Sequence, residues 1–363
     1  MNILHTETLK GWGGQQNKVI KELINTKKLG HKVYLLANPN ADIIKKAKKH
    51  DIKVIIQEMN KKTILSSALF LKKLTKELKF DLIVSHGSTD SWIVAIVKLI
   101  SGVSVIRERH NLYEIKGLLS KIQHRYLFNY IIAISEAVRD YLLEIGVKRD
   151  KILMLPSVVD INKFKNASSN FRVEFNIPQD AKVVGIFTSL RRDKGLFDFF
   201  EMSKKILKDN SDVYIVYGGK YIQKDYDFIM NFYKKNNYEL SKIKWSGYTE
   251  NAPNVMKSFD IYVFPSYSEG LGTVLIEALA CRLPAVVYDK RPMSDLVKNK
   301  LNGYTAKYKD TDDLAKKIQN LLDHKERASM GEKSWNIVKD GFSEENMQNN
   351  IQNILSQVNE KNS

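Results

Sequence analysis

A single cysteine in 363 residues is the sequence's first shortage. Cys281 has no partner, which excludes a disulfide framework and any cysteine-based metal cluster. It lies in an apolar run, where a buried, inert thiol is expected. Long apolar runs are missing as well: no window approaches the roughly 20 residues that a membrane span needs. The amino-terminal MNILHTETLKGWGG lacks the apolar stretch of a signal peptide. The expectation is a soluble protein of a reducing cytoplasm, peripheral at most on the inner face of the cytoplasmic membrane. Low-complexity tracts and solenoid-period repeats are also missing. Acidic residues are scarce in one half only. Residues 1–165 hold 29 Lys+Arg against 15 Asp+Glu, and the remainder 29 against 26, within a formal net charge of +17.

That asymmetry implies an anionic partner for the amino-terminal half: a membrane surface, a phosphorylated acceptor or nucleic acid. The lysines are scattered, which also fits an ordinary solubilising surface. No recognition helix, aromatic platform or zinc motif accompanies the charge, so nucleic acid is not an expected partner.

What is present is an ordinary globular balance, 43% hydrophobic and 27% charged, in a chain long enough for two cores. Strand candidates recur at 1–6, 31–37, 51–57, 81–86, 103–109 and 130–135, with helical patterns between them at 15–28, 61–79 and 91–101. Such alternation reads as βαβ units and a parallel sheet. The stretch 155–181, with Pro156, Ser168, Ser169 and Pro178, interrupts it. A second series follows at 181–189, 211–219, 243–247, 260–266 and 283–289. The expected fold class is therefore α/β, with two doubly wound domains, 1–165 and 178–342, bordering a cleft. A helix beginning near Ser343 is expected to pack back on the first domain. In 61–79, Ile64, Leu65, Ala68, Leu71, Leu74 and Leu78 share one helical face and lysines largely the other. The segment reads either as a helix packed on the sheet or as an interfacial helix on anionic lipid.

The most informative stretch is FPSYSEGLGTVLIEALACRLPAVVYD (264–289). A strand ends at Pro265, a loop carries Glu269, Gly270, Leu271 and Gly272, and a helix starts near Thr273. Glycines let backbone N–H groups approach a ligand closely, and a helix amino terminus favours phosphate. Glu269 precedes the helix and Glu277 lies just over one turn inside it, among apolar residues. Carboxylates so placed suit the hydroxyls of sugar or ribose. The ordinary alternative is a first-turn charge and a surface glutamate.

Here the chain resembles the GT-B glycosyltransferases of family 4, the glycosyl transferases of group 1, whose signature is Glu, seven residues, Glu. The resemblance covers nearly the whole chain and recurs in order: GWGGQQNKVIKEL (11–23), AISEAVRDYL (133–142), LPSVVDINKF (155–164), SLRRDKG (189–195) and 247–287. It implies a retaining transferase that moves a sugar from a nucleotide-diphosphate donor to a glycan or lipid-linked acceptor, in cell-surface polysaccharide or lipopolysaccharide synthesis.

At matched positions the resemblance implies that Glu269 binds donor-sugar hydroxyls. The backbone of Gly270, Leu271, Gly272 and Thr273 would meet sugar and phosphate, Glu277 the ribose, and Arg191 and Lys194 the diphosphate. Gly13 and Gly14 would lie beside the donor phosphates, and backbone near Gly247 and Tyr248 beside the base. His110 resembles the family histidine that meets the donor sugar. His86 matches the second member of a His-x-His pattern whose first member is Val84 here. Trp12, His86, Arg107 and Arg109 are the acceptor-side candidates, Trp12 reading equally as a packing residue and the arginines as partners of Glu108. Front-face attack needs no enzymic nucleophile. No Asp-x-Asp stands on the donor edge, and Thr311-Asp312-Asp313 reads as an N-cap with first-turn charges. No cofactor and no metal are expected. The alternatives are a non-catalytic GT-B partner subunit and a sugar-nucleotide epimerase. A dinucleotide oxidoreductase is not expected, because GWGGQQ lacks the glycine spacing and the downstream acid.

Overall fold

A computed structural model of the chain describes residues 1–323, 325 and 327–362. The first sheet is built from β1 (Asn2–Glu7), β2 (Lys32–Ala37), β3 (Lys53–Ile56), β4 (Leu82–Ser85), β5 (Ser104–Arg109), β6 (Tyr130–Ala133) and β7 (Ile152–Met154). The second holds β8 (Lys182–Phe187), β9 (Val213–Gly218), β10 (Ile243–Gly247), β11 (Ile261–Phe264), β12 (Ala285–Tyr288) and β13 (Gly303–Ala306). Their orders are β3-β2-β1-β4-β5-β6-β7 and β10-β9-β8-β11-β12-β13. Each described pairing is parallel. Helices must then cover both faces, which is why the strands read as nearly unbroken apolar runs. In each sheet the order reverses once, between β1 and β4 and between β8 and β11. In doubly wound sheets ligands bind beyond the strands' carboxyl ends at that reversal.

The chain forms two compact units, Met1–Val158 with Glu344–Ser363, and Val159–Ser343. The helix Glu344–Asn362 packs on the helix Gly14–Lys28 and buries Met347, Ile351, Ile354, Leu355 and Val358 with Ile3, Leu82, Val84 and Ile106. Each such side chain contributes about 1.5–3 kcal/mol when fully buried. The second unit's core joins Val184, Ile186 and Val263 to Phe199, Phe200, Tyr217 and Tyr233.

Four features differ from the sequence expectation. The units divide at Val158/Val159, ahead of 165–178, because the interrupting stretch from Val159 onward belongs to the second unit. There Phe164 and Phe171 are buried, and the Arg172 guanidinium donates to Ser258 O and Asp260. The edge strands β7 and β13, three and four residues long, carry too little periodicity to be read. In the helix Ile64–Leu78 the buried residues are Ser67, Ala68, Leu71 and Thr75, whereas Leu65 is 71% exposed and Leu69 is exposed too. Finally, Asp310, not Thr311, caps the helix Thr311–Asp323, accepting from the N–H groups of Asp312 and Asp313.

Candidate functional site

In the second unit the loops after β8 and β11 lie against each other. A methyl group added at Gly195 would stand 2.1 Å from the Pro265 carbonyl oxygen, and Gly195 has φ +76°, which glycine adopts without strain. Tyr267 N donates to Asp193 O at 3.0 Å, and Ser266 Oγ lies 3.3 Å from the same oxygen. This seam brings Lys194 Nζ to 2.7 Å from Glu269 Oε1, an oxygen that Ser266 Oγ also reaches at 2.8 Å. Both charged side chains are mostly buried. Asp198 anchors the same loop from the helix Leu196–Asp209, accepting from Tyr267 Oη at 2.7 Å and from Tyr288 Oη. Arg191 grips Asp193 with two hydrogen bonds, Nε to Oδ1 at 3.0 Å and Nη2 to Oδ2 at 2.7 Å. Burial alone would raise the Asp193 carboxyl; the hydrogen bonds and charge of Arg191, with Lys194, hold it below its usual value.

Beyond Glu269, Leu271 is buried and Gly272, at φ +81°, opens the helix Thr273–Ala280. Thr273 and Glu277 share this helix, and Glu277 is half-buried, more accessible than its apolar neighbours suggest. Gly247 ends β10 at φ +65°, its carbonyl accepting from Gly219 N at 3.0 Å, and Tyr248 beside it is exposed. Burial pushes the Cys281 thiol up to about 12, which makes it inert.

In the first unit, the corresponding edge lies at β1, β4 and β5. Glu7 ends β1 and accepts from Leu9 N at 2.8 Å, Gln15 Nε2 at 2.7 Å and Gln16 Nε2 at 3.1 Å. Burial raises its carboxyl. Gly14 has no atom within 4 Å of an added methyl, and the nearest to Gly13 is Gln16 Oε1 at 3.4 Å, so packing does not require glycine at Gly14. Trp12 is exposed, with Lys46 Nζ 5.5 Å from its ring centroid. Asp90 caps the helix Ser88–Ser101, accepting from His86 N at 2.9 Å and Gly87 N at 3.1 Å.

The two predicted histidines meet here. His86 Nδ1 and His110 Nε2 are 2.9 Å apart, and His86 Nε2 lies 2.9 Å from His5 Nδ1. Glu108 Oε2 stands 3.2 Å from His86 Nδ1, and Lys18 contacts both Glu108 and Glu22. His86 is buried with both ring nitrogens engaged, by His5 and by His110. Burial would raise the Glu108 carboxyl, but Lys18, His110 and His86 together hold it well below its usual range. Burial lowers His5 and His110 well below 6.5. The ligand atoms of His5, Glu22 and His86, and those of His86, Glu108 and His110, lie within 4.8 Å of one another. The Lys18 ammonium contacts both Glu22 and Glu108 and balances one of their two charges, which ties the cluster together as an ion-pair network. Arg107 and Arg109 extend from the opposite face of β5. Both are buried, and Arg107 Nε and Nη1 and Arg109 Nε lack hydrogen-bond partners among the described residues. Burial, then the neighbouring Arg107 charge, lowers Arg109 to about 10.

His5, Lys18, Glu22, Asp193, Asp198 and Ser266 escaped the sequence reading. Ser266, three residues before Glu269, and Asp193, beside Lys194 in SLRRDKG, lay in segments already singled out.

The chain is similar to known glycosyltransferases. The chain is 24% identical over 295 residues to the UDP-Gal:alpha-D-GlcNAc-diphosphoundecaprenol alpha-1,3-galactosyltransferase of Escherichia coli, spanning 77% of this chain and 76% of that one. It is 25% identical over 312 residues to the N,N'-diacetylbacillosaminyl-diphospho-undecaprenol alpha-1,3-N-acetylgalactosaminyltransferase of Campylobacter jejuni, spanning 78% and 80%. The fold superposes on a glycosyltransferase from Rickettsia africae with TM-score 0.89 at 20% identity, covering 98% of each chain. On Anabaena HepE, crystallised with UDP and glucose, the TM-score is 0.82 at 19% identity, covering 98% of this chain and all of that one. A family model described as Glycosyltransferase Family 4 matches residues 12–163, and one described as Glycosyl transferases group 1 matches residues 168–336. With two doubly wound sheets and a Lys–Glu pair at the second reversal, the chain belongs to the group 1 glycosyl transferases and is a GT-B glycosyltransferase.

Proposed function

We propose that the chain moves a sugar, with retention of configuration and without a metal, from a nucleoside-diphosphate sugar to a hydroxyl of a lipid-linked glycan in cell-surface polysaccharide synthesis. The carrying observation is the Lys194–Glu269 pair at 2.7 Å beside the opening of the helix Thr273–Ala280. A departing diphosphate gathers negative charge in the transition state, and this reading sets Lys194, Arg191 and the helix amino terminus against that charge. They supply the charge that a metal would otherwise supply.

In this reading Glu269 accepts from donor-sugar hydroxyls and Glu277 from the ribose. The backbone of 270–273 cradles sugar and phosphate, and Gly247 and Tyr248 flank the base. Gly13 and Gly14 leave room for phosphate, and His110 hydrogen-bonds the sugar. The acceptor oxygen attacks C1 on the face from which the diphosphate leaves. The C1–O(phosphate) bond breaks, the C1–O(acceptor) bond forms, and the hydroxyl proton passes to the leaving phosphate oxygen. Arg107 and Arg109, buried cations with unpaired N–H groups, suit an anionic acceptor, and Trp12 offers it an exposed ring.

The two curated relatives act on diphosphoundecaprenol-linked sugars, as their names state. The same acceptor class suits this chain, whose place is then the inner face of the cytoplasmic membrane. Among the described residues no helix is long and apolar enough to cross a membrane. The contact proposed is a peripheral one. Leu65 and Leu69 share an exposed face with Lys72, Lys73 and Lys76, and Leu99 and Ile100 stand exposed at the carboxyl end of the neighbouring helix. Apolar side chains flanked by lysines suit an anionic bilayer.

A thermal-shift screen against UDP, GDP, ADP, CMP and dTDP, with their sugars, tests the donor reading. A ligand at 100 times its Kd stabilises by about 2.7 kcal/mol. A shift from one nucleotide, and transfer that persists in chelator, are expected. Absence of any shift, or activity restored only by a divalent cation, would overturn the reading.

A further inference from the structure

We propose that His5, His86 and His110 form a one-way hydrogen-bond chain that holds His110 in the tautomer protonated on Nδ1, so that its remaining nitrogen offers the donor sugar an N–H and not a lone pair. The proposal rests on the reading that His110 meets the donor sugar.

Sheet order creates the chain. His5 lies in β1, His86 follows β4 and His110 follows β5, and these strands are neighbours in the order β1-β4-β5. The three imidazoles therefore line up on one face, His5 Nδ1 to His86 Nε2 at 2.9 Å and His86 Nδ1 to His110 Nε2 at 2.9 Å. A neutral imidazole has one donor and one acceptor nitrogen. In a line of three, every proton must then point the same way. Either His5 donates to His86 and His86 to His110, or both bonds run in reverse.

Two carboxylates choose between the directions. Glu22 Oε2 lies 3.9 Å from His5 Nδ1, and Glu108 Oε2 lies 3.2 Å from His86 Nδ1. A carboxylate only accepts, so each favours a proton on the Nδ1 atom it faces. In reverse, both would confront a lone pair in a buried site, where such repulsion is strong. The one contact favouring the reverse, Glu108 Oε2 to His110 Nε2, is longer at 3.9 Å. Lys18 contacts both carboxylates, and with His110 and His86 it holds Glu108 well below its usual range. Burial above all keeps His5 and His110 neutral. The forward direction leaves His110 Nδ1 as an N–H, and that nitrogen makes no hydrogen bond to another described residue. His5, His86, Glu22 and Glu108 are then positioning residues acting through His110.

The first experiment reads the tautomer directly. In full-length protein labelled with ¹⁵N-histidine, long-range ¹H–¹⁵N correlation at neutral pH should show His5, His86 and His110 all protonated on Nδ1. A proton on His110 Nε2, or an imidazolium at that position, overturns the proposal. Glu22→Gln, if folded by circular dichroism, should mix the His110 tautomers and lower kcat roughly tenfold at unchanged donor KM. An unchanged spectrum counts against the relay. The second experiment substitutes His110 itself. His110→Asn sets an amide near the Nδ1 position and His110→Gln near Nε2, so the Asn variant should keep the higher kcat/KM by about tenfold. The opposite ranking overturns the donor role. Wild-type transfer by both variants would overturn the contact of His110 with the sugar, whereas the tautomer spectrum would still stand. Failure of the relay and failure of the site reading are thereby told apart.

Discussion

Lys194 and Glu269 face each other at 2.7 Å across the seam between the loops that follow β8 and β11. Each is the other's counter-charge, and in the proposed function both meet the same donor. Lys194→Ala and Glu269→Gln should each lower kcat/KM by about 10²- to 10³-fold, the usual loss of a preorganised charge. The double variant should lose less than the product of the two, because neighbours in one network are not additive. Steady-state kinetics on the three variants check this, and independent, multiplicative losses would contradict it.

Glu277 is reached separately. If it accepts from ribose hydroxyls, Glu277→Gln should weaken binding of the preferred nucleoside diphosphate by roughly 10- to 150-fold, as for a hydrogen bond to a charged group. Calorimetry with the same nucleotide and its 2′,3′-dideoxy form gives the control: the dideoxy form should bind wild type and variant alike.

Gly195 sets how closely the two loops approach. Gly195→Ala must strain a backbone at φ +76° and push a methyl to 2.1 Å from the Pro265 carbonyl oxygen. A loss of about 1–3 kcal/mol is expected from the strain alone. Urea unfolding should show it, and nucleotide affinity should fall with it as the seam opens. A variant of wild-type stability would mean that the loops part without cost.

His124 gives a pH dependence. Burial, with Arg107 and Arg109 nearby, pushes its imidazole down to about 4, against an ordinary 6.5. The unfolded chain therefore binds the extra proton across that interval, so stability is full above 6.5 and declines as pH falls towards 4. At pH 5 the loss from this residue alone should be about 2 kcal/mol. Unfolding at pH 7 and pH 5 measures it, and His124→Asn should flatten part of the difference.

Leu65, Leu69 and Leu99 stand in water, so polar replacements there should change stability by less than about 0.5 kcal/mol. Leu65→Ser, Leu69→Ser and Leu99→Ser together should nonetheless reduce co-sedimentation with phosphatidylglycerol vesicles. Rising salt should weaken the wild-type association, since each nearby lysine contributes about 1 kcal/mol at an anionic surface. Equal binding to neutral vesicles would remove the membrane proposal.

The fold was legible where pattern was strong. Runs such as AKVVGIF and DIYVF could only be buried strands, and their alternation with helices implied parallel sheets. Short edges were not: Ile152–Met154 and Gly303–Ala306 are strands because a neighbour offers them a ladder, which no local pattern reveals. The same holds at the site. Glu269, Gly272 and Lys194 lie in loops whose chemistry is local, so they could be found in order along the chain. His5 sits in the middle of a strand, and Lys18 and Glu22 lie on a helix with ordinary i, i+4 charge spacing, indistinguishable from a solvated face. Only the adjacency of β1, β4 and β5 turns them inward onto Glu108 and His86. The helix Ile64–Leu78 misled for a related reason: its apolar stripe is wider than the surface that neighbouring elements cover, and Leu65 was left outside.

The helix Glu344–Asn362 has a consequence for biosynthesis. Met347, Ile351, Ile354, Leu355 and Val358 complete the packing around Ile3, Leu82 and Ile106, yet they are translated after the whole of the second unit. The second unit lies wholly between, so it emerges in full while the first still lacks one wall of its core. Domains usually mature in order of synthesis. Here the order inverts, and the first unit stays open until the helix that follows the second has been made.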